Sequence, residues 1–92
     1  MNKIDLSGRN AIVTGGAQGF GLEISQRFID SGANVMIWDI DKKLIEGLQT
    51  QLDKHSSFFD IVDVTDFSNV SDGIDNAIRK LGKVDIFVNN AG

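Results

Sequence analysis

Four of the eight residues in Thr14-Gly15-Gly16-Ala17-Gln18-Gly19-Phe20-Gly21 are glycine. Glycine loses more backbone freedom on folding than any other residue, so such a density needs a reason. The stretch follows the β-branched apolar run NAIVT (Asn10–Thr14) and leads into a helix-like run that starts at Gly19. A helix N-terminus carries unpaired N–H groups and a partial positive charge, which suits an anion. Cβ atoms would block the anion's approach, and glycines remove them. On this reading Gly15 permits the tight turn out of the strand. Gly19 lets a pyrophosphate reach the helix N-terminus, and Gly21 lets the helix pack close to the sheet. The pattern is T-G-x-x-x-G-x-G. It lacks the third glycine of a G-x-G-x-x-G fingerprint, because Leu22, Glu23 and Ile24 follow Gly21. It is not a P-loop either, since no Gly-Lys-Ser/Thr follows. The bland alternative is a glycine-rich turn that binds nothing.

A second residue points the same way. Asp39 directly follows the apolar run NVMIW, 18 residues after Gly21. An acidic side chain at that place can accept two hydrogen bonds from the hydroxyls of an adenosine ribose. It would also repel a 2′-phosphate, which favours NAD over NADP. Lys42 and Lys43 lie near enough to reach a phosphate if the loop rearranged. Replacing Asp39 with Ala should therefore weaken NAD and help NADP. The alternative is that Asp39 merely caps the next helix, although Asp41 is better placed for that.

Other chemistries find little material. The chain has no Cys and no Tyr, and its single His, His55, sits in the polar stretch Asp53–Ser57 and reads as exposed. No His/Cys cluster has metal-ligand spacing, and the carboxylates show no paired arrangement. The net charge of −4 argues against nucleic acid, which requires basic patches. No apolar run nears the roughly 20 residues of a membrane span. The opening MNKIDLSGRN lacks the apolar core of a signal peptide. The absence of Cys fits a reducing cytoplasm.

The elements that must position these residues follow from periodicity. With 92 residues, 41% hydrophobic and 24% charged, the chain is at most one small domain. NAIVT reads as a buried strand. Gly19 to Ser31 carries Leu22, Ile24, Phe28 and Ile29 at helical spacing, and Gly32 ends it. NVMIW is a second strand. Asp41 caps a helix bearing Leu44, Ile45, Leu48 and Leu52. SFFDIV (Ser57–Val62) is a third strand, weakened by Asp60. Asp66 caps a third helix whose apolar face is Phe67, Val70, Ile74, Ala77, Ile78 and Leu81, with Gly82 as its stop. VDIFV (Val84–Val88) is a fourth strand. The order β-α-β-α-β-α-β, with continuous apolar strands, predicts an α/β fold. It is half of a doubly wound (Rossmann) parallel sheet in strand order 3-2-1-4.

With TGGAQGFG at one end and Asn89-Asn90-Ala91-Gly92 at the other, the chain resembles the N-terminal part of a short-chain dehydrogenase/reductase. Asp63-Val64 after the third strand matches that family's usual Asp-Val pair. The resemblance covers essentially all 92 residues and implies roles. Asp63 would hydrogen-bond the adenine amino group, and the Val64 backbone would contact the ring. Asn90 would lie under the cofactor's ribose, with Ala91 and Gly92 leaving room. Gln18 and Phe20 would contact the pyrophosphate and nicotinamide half, and Ile40 would join Asp39 among the cofactor-contacting residues. Asn89 would tie the fourth strand to its neighbours. The family's Tyr-x-x-x-Lys pair and its serine have no counterpart here, so no catalytic residue is assigned.

The resemblance implies an NAD(P)-dependent oxidoreductase, represented by its cofactor-binding half. It would move a hydride to or from a carbonyl or secondary alcohol, for example as a 3-oxoacyl reductase does. At full length it would form a homo-oligomer. One alternative is a non-catalytic nucleotide-binding or interaction protein. Another is a doubly wound methyltransferase, against which the NNAG ending argues. Only one helix is expected on the second face of the sheet, which would leave apolar surface open. The isolated 92 residues are therefore expected to be marginal or to aggregate, and a monomeric, cooperative melt above about 60 °C would contradict this.

Overall fold

The computed structural model describes residues 5–90. Its order is β1 (Asn10–Thr14), α1 (Gly19–Asp30), β2 (Asn34–Asp39), α2 (Lys42–Leu48), β3 (Ser57–Ile61), α3 (Phe67–Leu81) and β4 (Ile86–Asn89). The four strands are parallel, in the order β3-β2-β1-β4. This is the topology that the alternating pattern predicted.

Side chains alternate across the sheet and build two cores. Ala11, Val13, Val35 and Ile37 face α1 and α2, where Leu22, Phe28, Ile45 and Leu48 pack on them. Ile12, Met36 and Trp38 face α3, where Val70, Ala77 and Leu81 cover them. Both central strands are buried throughout, apart from the half-buried Asn34. That is why they read as unbroken apolar runs rather than alternating ones.

Helix ends follow their residues. Asp41 accepts the N–H groups of Lys43 and Leu44, and Asp66 accepts that of Asn69. Gly32 (φ 98°) and Gly82 (φ 90°) take the left-handed region just past α1 and α3. α2 stops at Leu48, short of Leu52, although Leu52 N–H still reaches the Leu48 carbonyl at 3.1 Å. Asp60 is tolerated in β3 because Asn76 Nδ2 donates to it at 3.0 Å. β4 begins at Ile86 rather than Val84. Asp85 is occupied by the Asn10 N–H (2.9 Å) and Lys83 Nζ (3.1 Å), and these hold its carboxyl below the usual carboxylate range.

The apolar face expected on α3 is only half used. Val70, Gly73, Ala77 and Leu81 form the contact stripe, with the ring of Trp38 directly under Gly73. Phe67, Ile74 and Ile78 remain 88%, 37% and 46% exposed. At 100° per residue they lie on the flank away from Asn76, which reaches β3. That flank faces the side of the sheet where Phe87 of β4 is also 49% exposed. The periodicity was real, but no element among the described residues covers that side.

Candidate functional site

Parallel strands bring all four C-terminal ends to one edge, and the residues nominated from the sequence follow those ends. Gly15–Gly21 follows β1, Ile40 follows Asp39 at the end of β2, Asp63 and Val64 follow β3, and Asn90 follows β4. β1 and β4 are neighbours although not consecutive, and this reversal of strand order is the place where open α/β sheets bind ligands. Ala91 and Gly92 lie outside the described residues.

The start of α1 differs from the other two helix starts. Its N-cap residue, Gln18, is extended (φ −155°, ψ 167°) and makes no side-chain bond to the first turn. The first turns of α2 and α3 likewise hold no acidic residue, so the missing side-chain cap is the difference. The N–H groups capped by aspartates in α2 and α3 are here left to an incoming group. Gly15 and Gly19 take φ values of 61° and 56°, which side chains resist. A Cβ at Gly19 would meet nothing within 4 Å, so the space in front of the helix is open. A Cβ at Gly21 would collide with the Gly15 carbonyl and lie 2.8 Å from Asn90 Nδ2. The close approach that Gly21 allows is therefore to the turn and to Asn90, rather than to the sheet itself.

Around this cradle the polar groups are tied down. The Thr14 hydroxyl, fully buried, accepts the Asn90 N–H at 2.9 Å and lies 3.3 Å from both the Val88 carbonyl and Asn89 Oδ1. Asn90 Nδ2 donates to the Gly15 carbonyl at 3.4 Å. Asn89 thus links β4 to β1, as expected. Asp39 is buried at 8% exposure, with its carboxylate against the turn. It does not cap α2; Asp41 does. Gln18, Phe20 and Ile40 are exposed at the rim, as are Lys42 and Lys43. Val64 packs half-buried beneath the rim with Trp38 and Val62.

Asp63 is exposed, and its Oδ1 accepts the Thr65 hydroxyl at 2.6 Å and the Thr65 N–H at 2.9 Å. These two bonds, the hydroxyl first, hold its carboxyl below the usual carboxylate range. A depressed folded-state pKa adds stability that is present above the unfolded value of about 4. That stability is lost as pH falls through the lower folded value. Thr65→Val is expected to move the Asp63 titration upward toward about 4, read by carboxyl NMR shifts. An unmoved midpoint would show that the hydroxyl does not hold the charge.

Sequence reasoning missed Thr14, Gly16 and Ala17. Thr14 had a signal, as a polar residue ending a buried strand. Gly16 and Ala17 had none, because their importance depends on what packs behind them. His55 is exposed, and no group of three His, Cys, Asp or Glu residues among the described residues could hold a metal ion. No described helix is long and apolar enough to cross a membrane. A groove of about 460 Å³ lined by Gln26, Ile29, Asp30, Gln51, Leu52 and Asp53 contains none of the residues above.

Comparison with known proteins agrees with this geometry. The family model described as short chain dehydrogenase matches residues 9–92. The chain is 37% identical over 89 residues to 3beta-hydroxysteroid dehydrogenase 2 of Eggerthella lenta, covering 95% of this chain and 34% of that protein. It is 35% identical over 92 residues to short-chain dehydrogenase reductase 3c of Arabidopsis thaliana, covering 100% and 36%. Among solved structures, the hydroxysteroid dehydrogenase of Escherichia coli superposes with a TM-score of 0.89 at 39% identity, covering 96% of this chain and 38% of that one. The chain spans about a third of the length of the curated relatives it matches.

Proposed function

Because the chain belongs to the short-chain dehydrogenase family, we propose that residues 1–92 are the N-terminal part of a single NAD(P)-binding domain. The whole protein is then an NAD(P)-dependent oxidoreductase acting on a carbonyl or secondary alcohol. The uncapped start of α1 above open space at Gly19 carries this reading. Among the described residues it is the one helix start whose first N–H groups no side chain caps, which suits an anion.

When bound, the nicotinamide would accept the hydride of an alcohol or, in its reduced form, supply one to a carbonyl. The chain's own residues bind and orient. Backbone N–H groups at Gln18, Gly19 and Phe20 receive the pyrophosphate, and Gly15 and Gly21 keep the turn tight enough for it. Asp39 accepts the adenosine ribose hydroxyls, with Ile40 beside them. Asp63 accepts from the adenine amino group through Oδ2, the oxygen that Thr65 does not use. Asn90 would lie under the cofactor's ribose. None of the 92 residues is a tyrosine, so no proton-transfer role is assigned among them. Relatives named hydroxysteroid dehydrogenases support a secondary alcohol or ketone as the substrate class. The family match does not favour a non-catalytic interaction protein or a methyltransferase. The reading extends to a cytoplasmic location and, at full length, a homo-oligomer; the absence of Cys from these 92 residues fits a reducing compartment.

Asp39 makes the cofactor NAD rather than NADP, because a buried carboxylate repels a 2′-phosphate. Titration of the full chain with each dinucleotide tests this. NAD is expected to bind about tenfold tighter or more, since like charges set against each other cost several kcal/mol. Tighter NADP binding would shift the decision to Lys42 and Lys43. Binding of neither would sink the dinucleotide reading.

A further inference from the structure

The turn after β1 has two halves. Gln18, Gly19 and Phe20 are exposed, whereas Gly16 and Ala17 are buried. The buried half is fastened to the end of β2. The Gly16 N–H donates to the Trp38 carbonyl at 3.2 Å, and the Ala17 N–H donates to Asp39 Oδ2 at 3.2 Å. The other oxygen, Oδ1, accepts the Asp41 N–H at 3.0 Å. A Cβ at Gly16 would sit 3.0 Å from both Ile37 Cγ2 and the Val13 carbonyl. The turn is thus seated directly on the strands, and its two buried N–H groups are both bonded to the end of β2.

A carboxylate that takes one backbone N–H on each oxygen spans two loops. We propose that Asp39 is a positioning residue for the phosphate-binding turn. It fixes Ala17, and through Ala17 the exposed backbone of Gln18–Phe20, before any ligand arrives. Each oxygen has a second lone pair, so it can still receive a ribose hydroxyl. The two roles separate on mutation. Asp39→Ala lifts the repulsion of a 2′-phosphate but also strands the buried Ala17 N–H. It therefore fails to turn an NAD site into an NADP site, contrary to what the sequence alone suggests.

Amide hydrogen exchange in the ligand-free full chain tests the brace directly. In Asp39→Ala the amides of Ala17 and Asp41 are expected to exchange about 10- to 100-fold faster, the equivalent of one hydrogen bond to a charged group. Ile12 and Ile37 should keep their protection, which separates local positioning from a general loss of fold. Asp39→Asn keeps one oxygen and should recover part of the protection. Unchanged exchange at Ala17, or acceleration shared equally by Ile12 and Ile37, would overturn the proposal.

The second arm uses inorganic pyrophosphate, which carries no ribose. This arm alone rests on reading the turn as a phosphate cradle. Removing a negative charge should by itself raise affinity for an anion. A fall of about tenfold in Asp39→Ala would therefore report the lost brace, and unchanged or higher affinity would count against it. Failure of the wild-type chain to bind pyrophosphate would sink the cradle reading, and exchange at Ala17 would still decide the brace.

Discussion

Gly21→Ala is expected to lower stability by about 3 kcal/mol and to remove dinucleotide binding with it. The added Cβ meets the Gly15 carbonyl and lies 2.8 Å from Asn90 Nδ2. The first of these is backbone and cannot swing aside. Gly15 is itself fixed by its left-handed conformation and by the Asn90 amide. Relief would require the first turn of α1 to move off the end of β1. Ser25, whose hydroxyl donates to the Gly21 carbonyl at 2.8 Å in a fully buried position, would have to follow. Denaturant titration of the full chain measures this. A loss under about 1 kcal/mol, well below ordinary overpacking, would show that α1 is free to slide.

Gly19→Val should separate binding from folding. A Cβ at Gly19 meets nothing within 4 Å, so the side chain starts in the open space before the helix start. Its φ of 56° is unfavourable for a β-branched residue and costs about 1–2 kcal/mol. NAD affinity should fall by about 100-fold or more, because one side chain both fills the anion's path and denies it the backbone N–H groups. Calorimetric titration with NAD beside a denaturant curve gives both numbers. Unchanged affinity would return this stretch to an ordinary glycine-rich turn.

The two substitutions also show how far a sequence can be read. Strand order and the α/β class were legible because Asn10–Thr14 and Asn34–Trp38 are buried on both faces and carry unbroken apolar runs. The caps at Asp41 and Asp66 were legible because capping is a local matter. The placement of Asp39 beside the glycine turn was legible from its position after the second strand. Its hydrogen bond to Ala17 was not, because a contact spanning 22 residues leaves no local signal. Phe67, Ile74 and Ile78 misled for a related reason. Periodicity reports that a face is apolar but does not say which part of it this stretch of chain covers. Gly73 gave no signal in the sequence, because its role depends on what packs beneath it. Its role is to let Trp38 and Val62 approach to within 3.0 Å of where a Cβ would stand.

The register of the sheet also bears on how such a chain is made. β1 is central, yet its two neighbours emerge far apart in time. Asn34 pairs with Asn10, whereas Asn89 pairs with Thr14 across 75 positions. On a ribosome, β1, β2 and β3 can associate early, but one edge of β1 stays unpaired until β4 has cleared the exit tunnel. Non-local pairing of this kind is slow and exposes an adhesive edge meanwhile. The Thr14–Asn90 and Gly15–Asn90 hydrogen bonds that close the turn are among the last to form. A nascent chain stalled before Asn90 therefore carries the glycines, the helix and Asp39 but lacks a finished cradle. The proposed dinucleotide cradle is thus finished only once β4 has joined β1.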